Sequence, residues 1–472
     1  MSNAPLADRR RAELHAKLAS IELEFGRWRD ASERGQPLRK HHRQIRRVTK
    51  ALDAMRIRIA QDVEAAAGDD VLARARQLER SILELHRLWD YFRSKLALRS
   101  VSWFQQPLYA VDELAWACYE PLQLAATASG SADHKEPPLS FFNGAWSPFA
   151  AGRGRVYEPE RVEGAILPTT SVRDAIRKLP IPVVGVPWYL AQHLPDSPVI
   201  CHEVGHVAEQ DFGLTEAVEA ALEGAAISDE HRPAWRSWRS EVFADVYGCL
   251  GAGSAFVSAL MGFLVDDPAA VARQRLATPG WGKYPTTDLR MAFNFEVLRQ
   301  MQLDAAAGAL EQRWSAYYGG DRMSAFRPDC EPVAKALLRS RLSPLGNAAL
   351  ADVLAFDQVA QCLAEEQASG LLVKKTPDPK DARRLHASVH LAFAANPKTF
   401  ADAGVAARAL STLWDAQDDG VRAGAQAASV EDFEPVDEAT GREIYDAMRG
   451  SAGPTPKRPK RRSRHDQAGP HP

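Results

Sequence analysis

Two histidines and a glutamate within five consecutive residues are the part of this 472-residue chain best suited to chemistry. His202 and His206 are four positions apart, so on an α-helix both imidazoles lie on one face and can reach the same metal ion. Glu203 stands beside them and can take a proton from a metal-bound water. The spacing therefore indicates a catalytic metal site, although so short a pattern also occurs by chance.

A catalytic zinc ion needs three protein ligands and one position open for water, so two histidines leave one ligand to be found. Glu241 is a candidate, because it lies four residues before Asp245 and the two carboxylates would share a helix face. Glu241 would then be the third ligand, and Asp245 would accept a hydrogen bond from the free ring nitrogen of a ligand histidine. Three rival acidic residues lie nearer in sequence: Glu209, Glu216 and Glu219.

The two motifs, His202-Glu203-x-x-His206 and Glu241-x-x-Ala244-Asp245, together resemble the gluzincins, the zinc metallopeptidases in which a glutamate is the third ligand. The resemblance covers the segment around residues 180–300, well under half of the chain. It implies that Zn²⁺ is held by the two histidines and Glu241. It also implies that Glu203 is the general base and that Asp245 orients a ligand histidine.

Segment 283–290, Lys-Tyr-Pro-Thr-Thr-Asp-Leu-Arg, extends the resemblance. Several such families carry a His-Pro or similar dipeptide and then an arginine after the third ligand, facing the substrate carbonyl. Tyr284 stands here where histidine is common, and a phenol can donate a hydrogen bond to a developing oxyanion. The resemblance thus implies Tyr284 as a catalytic residue and Arg290 as a substrate-binding residue. A packing tyrosine and a salt-bridging arginine are the alternatives.

A β-strand is predicted just before the metal motif, because residues 181–190 form a β-branched apolar run bounded by prolines. Proline cannot donate to a strand ladder, so Pro182 and Pro187 favour an edge strand. Metallopeptidases of the resembled type bind substrate by adding it to a sheet edge near the metal. We therefore expect Val184 and Gly185 to contact the substrate.

Two further features adjoin the motifs. Gly205, inside the predicted metal-binding helix, costs about 1 kcal/mol relative to alanine, which predicts a packing reason such as the close approach of a second helix. Residues 127–155 are rich in glycine, serine and proline and are predicted to form a long loop. Such loops often border an active site, so we expect this one to shape the cleft.

The first hundred residues repeat apolar positions in alternating steps of four and three over three successive segments. Turn signals at residues 32–37 and 67–70 separate these segments. Each segment has only two or three heptads, which favours an antiparallel three-helix bundle over a long coiled coil. The bundle is either a structural domain or a module that binds a protein partner.

Basic residues are concentrated in two places. Segment 39–47 could contact phosphates, although a solvated helix face is the simpler interpretation. The stretch after Gly450 is rich in proline, lysine and arginine, which predicts disorder. This tail could contact nucleic acid or an acidic partner, or it could act only as a solubilising tail.

Composition sets outer limits on the function. A net charge of −2, 45% hydrophobic residues and 25% charged residues are ordinary for a soluble protein and give no global attraction to nucleic acid. No continuous apolar run reaches the ~18 residues that a membrane helix requires, and no signal peptide is evident. The five scattered cysteines argue against a disulfide framework. We expect a cytoplasmic protein without a membrane partner.

The sequence therefore predicts an α+β, predominantly α-helical fold with four parts. Residues 1–100 form a helical bundle, 101–300 a zincin-like metallopeptidase core with a small edge sheet, 301–449 a C-terminal helical region, and 450–472 a disordered basic tail. The expected function is soluble, zinc-dependent hydrolysis of peptide bonds in a protein or peptide substrate. The alternative is a catalytically silent zincin-like binding or regulatory protein, associated with nucleic acid through its basic helix and tail.

Overall fold

The computed structural model describes residues 4–66, 68–153, 170–179, 181–275, 280–318, 325–417 and 430–450. Helices contain 75% of the residues and strands 4%, which confirms the expectation of a mostly α-helical α+β fold. The basic tail predicted after Gly450 lies outside the described residues.

The helices follow one another along the chain with few strands between them. In chain order they are α1 (Ala4–Asp30), α2 (His42–Ala65), α3 (Asp70–Ala97), α4 (Ser102–Ala128), α5 (Thr170–Lys178), α6 (Ile200–Asp211), α7 (Thr215–Glu223), α8 (Arg232–Leu264), α9 (Pro268–Arg273), α10 (Thr287–Gln300), α11 (Asp304–Tyr318), α12 (Cys330–Arg339), α13 (Leu350–Val353), α14 (Gln358–Leu372), α15 (Ala382–Ala395), α16 (Pro397–Asp402), α17 (Val405–Asp415) and α18 (Val430–Gly450). The strands are β1 (Leu139–Asn143), β2 (Phe149–Ala151), β3 (Val183–Pro187), β4 (Arg341–Leu342) and β5 (Ala348–Ala349).

The three heptad-patterned segments form α1, α2 and α3, and these helices pack against one another. Their apolar positions are buried, since each heptad places them on one face. Trp89 lies at the centre, edge-on to Phe25 with 5.3 Å between ring centroids, and its indole nitrogen donates to Glu24 at 2.9 Å. The three predicted helices are therefore confirmed.

Helix α18, near the end of the described chain, packs on α2. Arg47 of α2 and Asp437 of α18 form a buried ion pair with 2.9 Å between Nη2 and Oδ1. Gly441 passes so close to the backbone of Ala51 that a Cβ there would clash with its carbonyl oxygen. Residues 430–450 thus pack on the N-terminal bundle, although the sequence placed them in the C-terminal helical region.

The basic face predicted on α2 is partly turned inward. Arg43 is buried and donates to Glu136 at 3.1 Å, and Arg47 lies 4.3 Å from the ring centroid of Phe433. The interpretation of this segment as a solvated helix face is therefore wrong. Arg43 and Arg47 each hold a distant part of the chain against the bundle, so neither is exposed for a phosphate.

The main sheet has three strands in the order β1-β3-β2, with β3 parallel to β1 and antiparallel to β2. The predicted strand therefore forms, but it is central, and the expectation of an edge strand is wrong. Its apolar run is buried on both faces, and Pro182 precedes the strand while Pro187 ends it. Val184 and Gly185 are buried and have a paired strand on each side, so they cannot bind a substrate strand.

Helices α6 and α8 cross closely and position the metal motifs. A Cβ at Gly205 of α6 would lie 2.8 Å from Cβ of Tyr247 and 3.2 Å from Cα of Ala244, both on α8. Any larger residue at position 205 would push the helices apart. The predicted packing reason for this glycine, close approach of a second helix, is confirmed.

Helix α8 is interrupted in the middle at Gly253, whose φ of 57° and ψ of −138° are not helical. The side chain of Gln361 accepts from the backbone N–H of Ser254 at 3.1 Å, so it caps the second half of the helix. Among the described helices, only α8 is long and apolar enough to cross a membrane. However, 83% of its most apolar 18-residue stretch is buried inside the protein. This burial is consistent with the core helix of a soluble protein.

The C-terminal helices follow the sequence pattern with one exception. Helical periodicity in this region predicts helices over 303–318, 331–341, 346–369 and 380–396, and the first, second and fourth of these correspond to α11, α12 and α15. Segment 346–369 is not one helix. The short strand β5 and the one-turn helix α13 come first, and α14 begins only after Asp357, whose carboxylate accepts from the N–H of Ala360 at 2.9 Å.

Two histidines of α15 hold the turn that leads into α6, a 3₁₀-helix at Leu194–Val199. Nδ1 of His386 lies 2.6 Å from Oγ of Ser197, and its Nε2 lies 3.1 Å from the carbonyl oxygen of Ala110. Nδ1 of His390 lies 2.7 Å from the carbonyl oxygen of Pro195. These contacts fix the start of the helix that carries the metal motif.

Replacing His386 by glutamine should reduce the loss of stability in acid. Burial lowers the pKa of His386 to about 4, whereas an unfolded histidine titrates near about 6.5. Between these two pH values the unfolded state binds this proton and the folded state does not. Each unit by which the pH falls therefore lowers the free energy of unfolding of the wild type by up to about 1.4 kcal/mol. The free energy of unfolding, measured by urea denaturation across this range, should depend less steeply on pH in His386→Gln than in the wild type. An unchanged slope would contradict a buried, neutral His386.

Candidate metal centre

The crossing of α6 and α8 brings three potential metal ligands together. The Nε2 atoms of His202 and His206 lie 3.2 Å apart. Oε2 of Glu241 lies 3.4 Å from the first of these nitrogens and 3.6 Å from the second. Among the described residues, this is the cluster of histidine, cysteine and acidic side chains that could hold a metal ion.

The distances between these atoms fit a metal ion. Ligands at about 2.0–2.1 Å from a tetrahedral zinc ion are about 3.3 Å from one another. The charges and lone pairs of the three atoms also favour a cation at this point. Nδ1 of His202 faces Asp245 and Nδ1 of His206 faces Ser240, so neutral rings that donate through Nδ1 present acceptor lone pairs at Nε2. Two lone pairs and a carboxylate oxygen directed at one point repel each other unless a cation lies between them.

Asp245 fixes the ring of His202, with 2.9 Å between Oδ1 and Nδ1. Arg290 holds this carboxylate with two hydrogen bonds of 2.7 and 2.8 Å, and Asn294 donates a third at 2.9 Å. Burial alone would raise the pKa of Asp245, but Arg290 and His202 hold that pKa well below its usual range. The prediction that Asp245 contacts a ligand histidine agrees with this geometry.

The same carboxylates favour positive charge on His202. Burial alone would lower the pKa of this imidazole, but the contacts with Asp245 and Glu241 raise it to about 9. Burial likewise tends to raise the pKa of Glu241, whereas His202 and His206 hold it far below its usual range. The electrostatics of the cluster therefore stabilise a cation, either a proton or a metal ion.

His206 is oriented by a different set of side chains. Its Nδ1 lies 3.2 Å from Oγ of Ser240, and that hydroxyl donates to Oε2 of Glu209 at 2.9 Å. Glu209, a rival ligand in the sequence, thus supports His206 through Ser240. The other two rivals, Glu216 and Glu219, are exposed on α7. Ser240 itself was missed by sequence reasoning, because serine has no distinctive spacing beside a metal motif.

A cavity of about 650 Å³ opens in front of the cluster. Glu203 lines it beside the two histidines, and its role as a general base stays a prediction. One wall comes from segment 127–155, which borders the cleft as predicted but is not wholly a loop, since it contains strands β1 and β2. Trp146 of that turn lines the cavity and is 85% exposed.

Strand β2, at an edge of the sheet, borders this cavity through Phe149 and Ala150. The sequence assigned the substrate-binding edge to the strand at Val184 and Gly185. The structure instead places the edge that faces the metal in β2. Only three residues long, this strand has too little alternating pattern to be recognised in a sequence.

The segment at residues 283–290 also lines the cavity. Tyr284 is 48% exposed there, and its hydroxyl oxygen lies 3.1 Å from Nζ of Lys283. Arg290 borders the cavity but is buried and paired with Asp245, which matches the salt-bridging alternative for this arginine. Its guanidinium carbon lies 5.4 Å from the ring centroid of Tyr284, so it supports both the metal site and this tyrosine.

Comparisons of the chain with protein-family models, with curated proteins and with solved structures find no match. The interpretation of the site therefore depends on the residues themselves. Three observations bear on it: the distances between the ligand atoms, the side chains that orient the histidines, and the open cavity in front of Glu203.

Replacing Glu241 by alanine should abolish stoichiometric metal binding, because only two histidines would remain. The matched control is Glu209→Ala, which removes the rival carboxylate that lies behind Ser240. This control should retain one metal ion per chain, with weaker affinity. Metal content of both purified variants after dialysis against zinc measures the difference. Full metal content in Glu241→Ala would exclude Glu241 as the third ligand.

Replacing Asp245 by asparagine should weaken metal affinity about 10–100-fold, as the loss of a carboxylate behind a metal-bound histidine does elsewhere. The variant also leaves Arg290 buried without a counter-ion, which destabilises the fold. The double variant Asp245→Asn/Arg290→Met removes the unpaired charge and should recover stability but not metal affinity. Competition with a chromophoric chelator measures affinity, and thermal unfolding measures stability. Recovery of both together would show that Asp245 has only a structural role.

Proposed function

We propose that this protein is a soluble zinc-dependent metallopeptidase. The observation that carries the proposal is the convergence of three ligand atoms, 3.2–3.6 Å apart, at the wall of an open cavity that Glu203 also lines. A binding site for a structural metal has no use for a base or for access to solvent. A hydrolytic site needs both.

The ligand set favours zinc. Two imidazole nitrogens and one carboxylate oxygen, with a fourth position left open, are typical of catalytic zinc sites. Calcium and magnesium prefer oxygen ligands, and a site with two histidines is poorly matched to either. Neither buried oxygen of Glu241 has a hydrogen bond of good geometry from the described residues, and Oε2, which faces the two imidazole nitrogens, is the one placed to take a metal as its partner.

In this proposal each side chain has one task in peptide hydrolysis. When bound, zinc polarises the peptide carbonyl and lowers the pKa of a coordinated water toward about 7. Glu203 accepts a proton from the attacking water and returns it to the leaving amine. Asp245 and Ser240 hold the two imidazoles in the tautomer that presents Nε2 to the metal. Tyr284 donates a hydrogen bond to the oxyanion that develops on the carbonyl.

The packing of three elements in the same region supports the proposal of a zincin-like core. Helix α6 packs against strands β2 and β3 and against helix α8. A sheet edge, a helix with both histidines and a second helix with the third ligand thus surround one cavity. An extended peptide in this cavity could lie beside β2, which is consistent with a protein or peptide substrate.

The alternative is a catalytically silent protein that uses the same architecture to bind a partner, including nucleic acid. Its support in the basic helix is weaker than the sequence suggested, since Arg43 and Arg47 are buried in internal contacts. Binding through the tail, a protein partner for the N-terminal bundle and a cytoplasmic location stay predictions. Glu203 at the cavity wall favours the enzyme over the silent protein.

Replacing Glu203 by glutamine should abolish hydrolysis while the protein keeps its zinc. Loss of the general base should lower turnover by about 10²–10⁴-fold. A mixture of peptides from a digested proteome, analysed by mass spectrometry after incubation, reports cleavage without a known substrate. The exposed residue Glu216 provides a control, because Glu216→Gln should cleave as the wild type does. Equal cleavage by Glu203→Gln, or none by zinc-loaded wild type, would contradict the proposal.

A further inference from the structure

Lys283 reaches from the protein surface to the buried carboxylate of the metal cluster. Its side chain is 68% exposed, whereas that of Glu241 is 2% exposed. The amino nitrogen nevertheless lies 2.7 Å from Oε1 of Glu241. The same nitrogen lies 3.1 Å from the hydroxyl oxygen of Tyr284. One cation thus links the third candidate ligand to the candidate oxyanion donor.

The two oxygens of Glu241 have different surroundings. Oε2 faces the two histidine nitrogens, at 3.4 and 3.6 Å, and is the atom placed for a metal. Oε1 faces Lys283. A carboxylate can bind a metal through one oxygen or through both, and nothing in the glutamate itself selects between these modes. The contact with Lys283 supplies this selection, because an oxygen in an ion pair with an ammonium group is a poor metal ligand.

We propose that Lys283 is a positioning residue that limits Glu241 to one metal-binding oxygen. The inference rests on the proposed metal site and names a residue that neither motif contains. Its consequence is that the ligand set stays at three atoms, which leaves room for a water molecule and a substrate carbonyl. A second oxygen from Glu241 would occupy part of that room.

The contact with Tyr284 extends this role. An ammonium group can only donate hydrogen bonds, so the phenol oxygen of Tyr284 accepts from Lys283. The phenol hydrogen is then left to donate elsewhere, and Tyr284 lines the cavity. Lys283 therefore orients the hydroxyl that we propose as the oxyanion donor while it occupies Oε1 of Glu241.

A simple surface ion pair would not have these effects. An ion pair between two exposed side chains contributes little to folding stability, about 0–1 kcal/mol. Arg236 and Glu223 form such a pair at 2.5 Å, with both side chains well exposed. The contact of Lys283 differs because its partner is buried and is itself a candidate metal ligand. Arg236→Met is therefore the matched control for a variant of Lys283.

The test uses Co²⁺ in place of zinc in the full-length protein, because its visible absorption reports the number of ligands. Four-coordinate cobalt absorbs most strongly, because tetrahedral surroundings allow the most mixing of the metal d and p orbitals, and the absorption weakens as a fifth and a sixth ligand are added. Wild type and Arg236→Met should show the strong spectrum. Lys283→Met should bind one cobalt ion with a clearly weaker spectrum, as Oε1 joins the metal. Lys283→Arg, which keeps a cation, should restore intensity.

The outcomes separate this inference from the proposed function. A spectrum of Lys283→Met identical to that of the wild type overturns the positioning role of Lys283. That result does not bear on the proposed peptidase function. A weaker spectrum in Lys283→Met supports the role even if no peptide is cleaved, in which case only the proposed function fails. Wild type that binds no cobalt overturns the inference, because the metal site on which it rests would not exist.

Discussion

The close crossing of α6 and α8 at Gly205 is the constraint on which the rest of the site depends. A Cβ at this position would lie 2.8 Å from Cβ of Tyr247, so the spacing of the helices is set by the absence of a side chain. The histidines flank Gly205 on α6, and Glu241 and Asp245 flank the facing turn of α8. Metal ligands must be placed to within about 0.2 Å, whereas a larger residue at the crossing would move the helices by more than that.

Charge balance is the second constraint, because the crossing buries several ionised groups in one place. Taking a charge out of water is costly unless a partner compensates it. Asp245 meets Arg290, Asn294 and His202, and Glu241 meets Lys283 on one oxygen. The other oxygen of Glu241 is the exception, and it points at two imidazole nitrogens. A metal ion would complete the compensation that the protein side chains leave unfinished.

Local patterns carried the predictions that agree with the structure, and distant contacts account for the errors. His202 and His206 could be placed on one face because helix geometry alone relates positions four apart. The position of the strand in the sheet depends instead on its pairing with β1 and β2, which lie more than 30 residues away along the chain. The contacts that bury Arg43 and Arg47 join residues 93 and 390 positions apart. No periodicity within a short window reports such partners.

The arrangement around the cluster argues for catalysis over a purely structural metal. A structural zinc site is closed by four protein ligands, whereas the cluster in the described residues has three and opens to a cavity. The two histidines are also supported differently. His202 is fixed by a charged, fully buried partner, while His206 contacts a serine hydroxyl and remains partly exposed. One candidate ligand held rigidly and one at the cavity wall, next to Glu203, match the proposed site, in which a bound metal would exchange water for substrate.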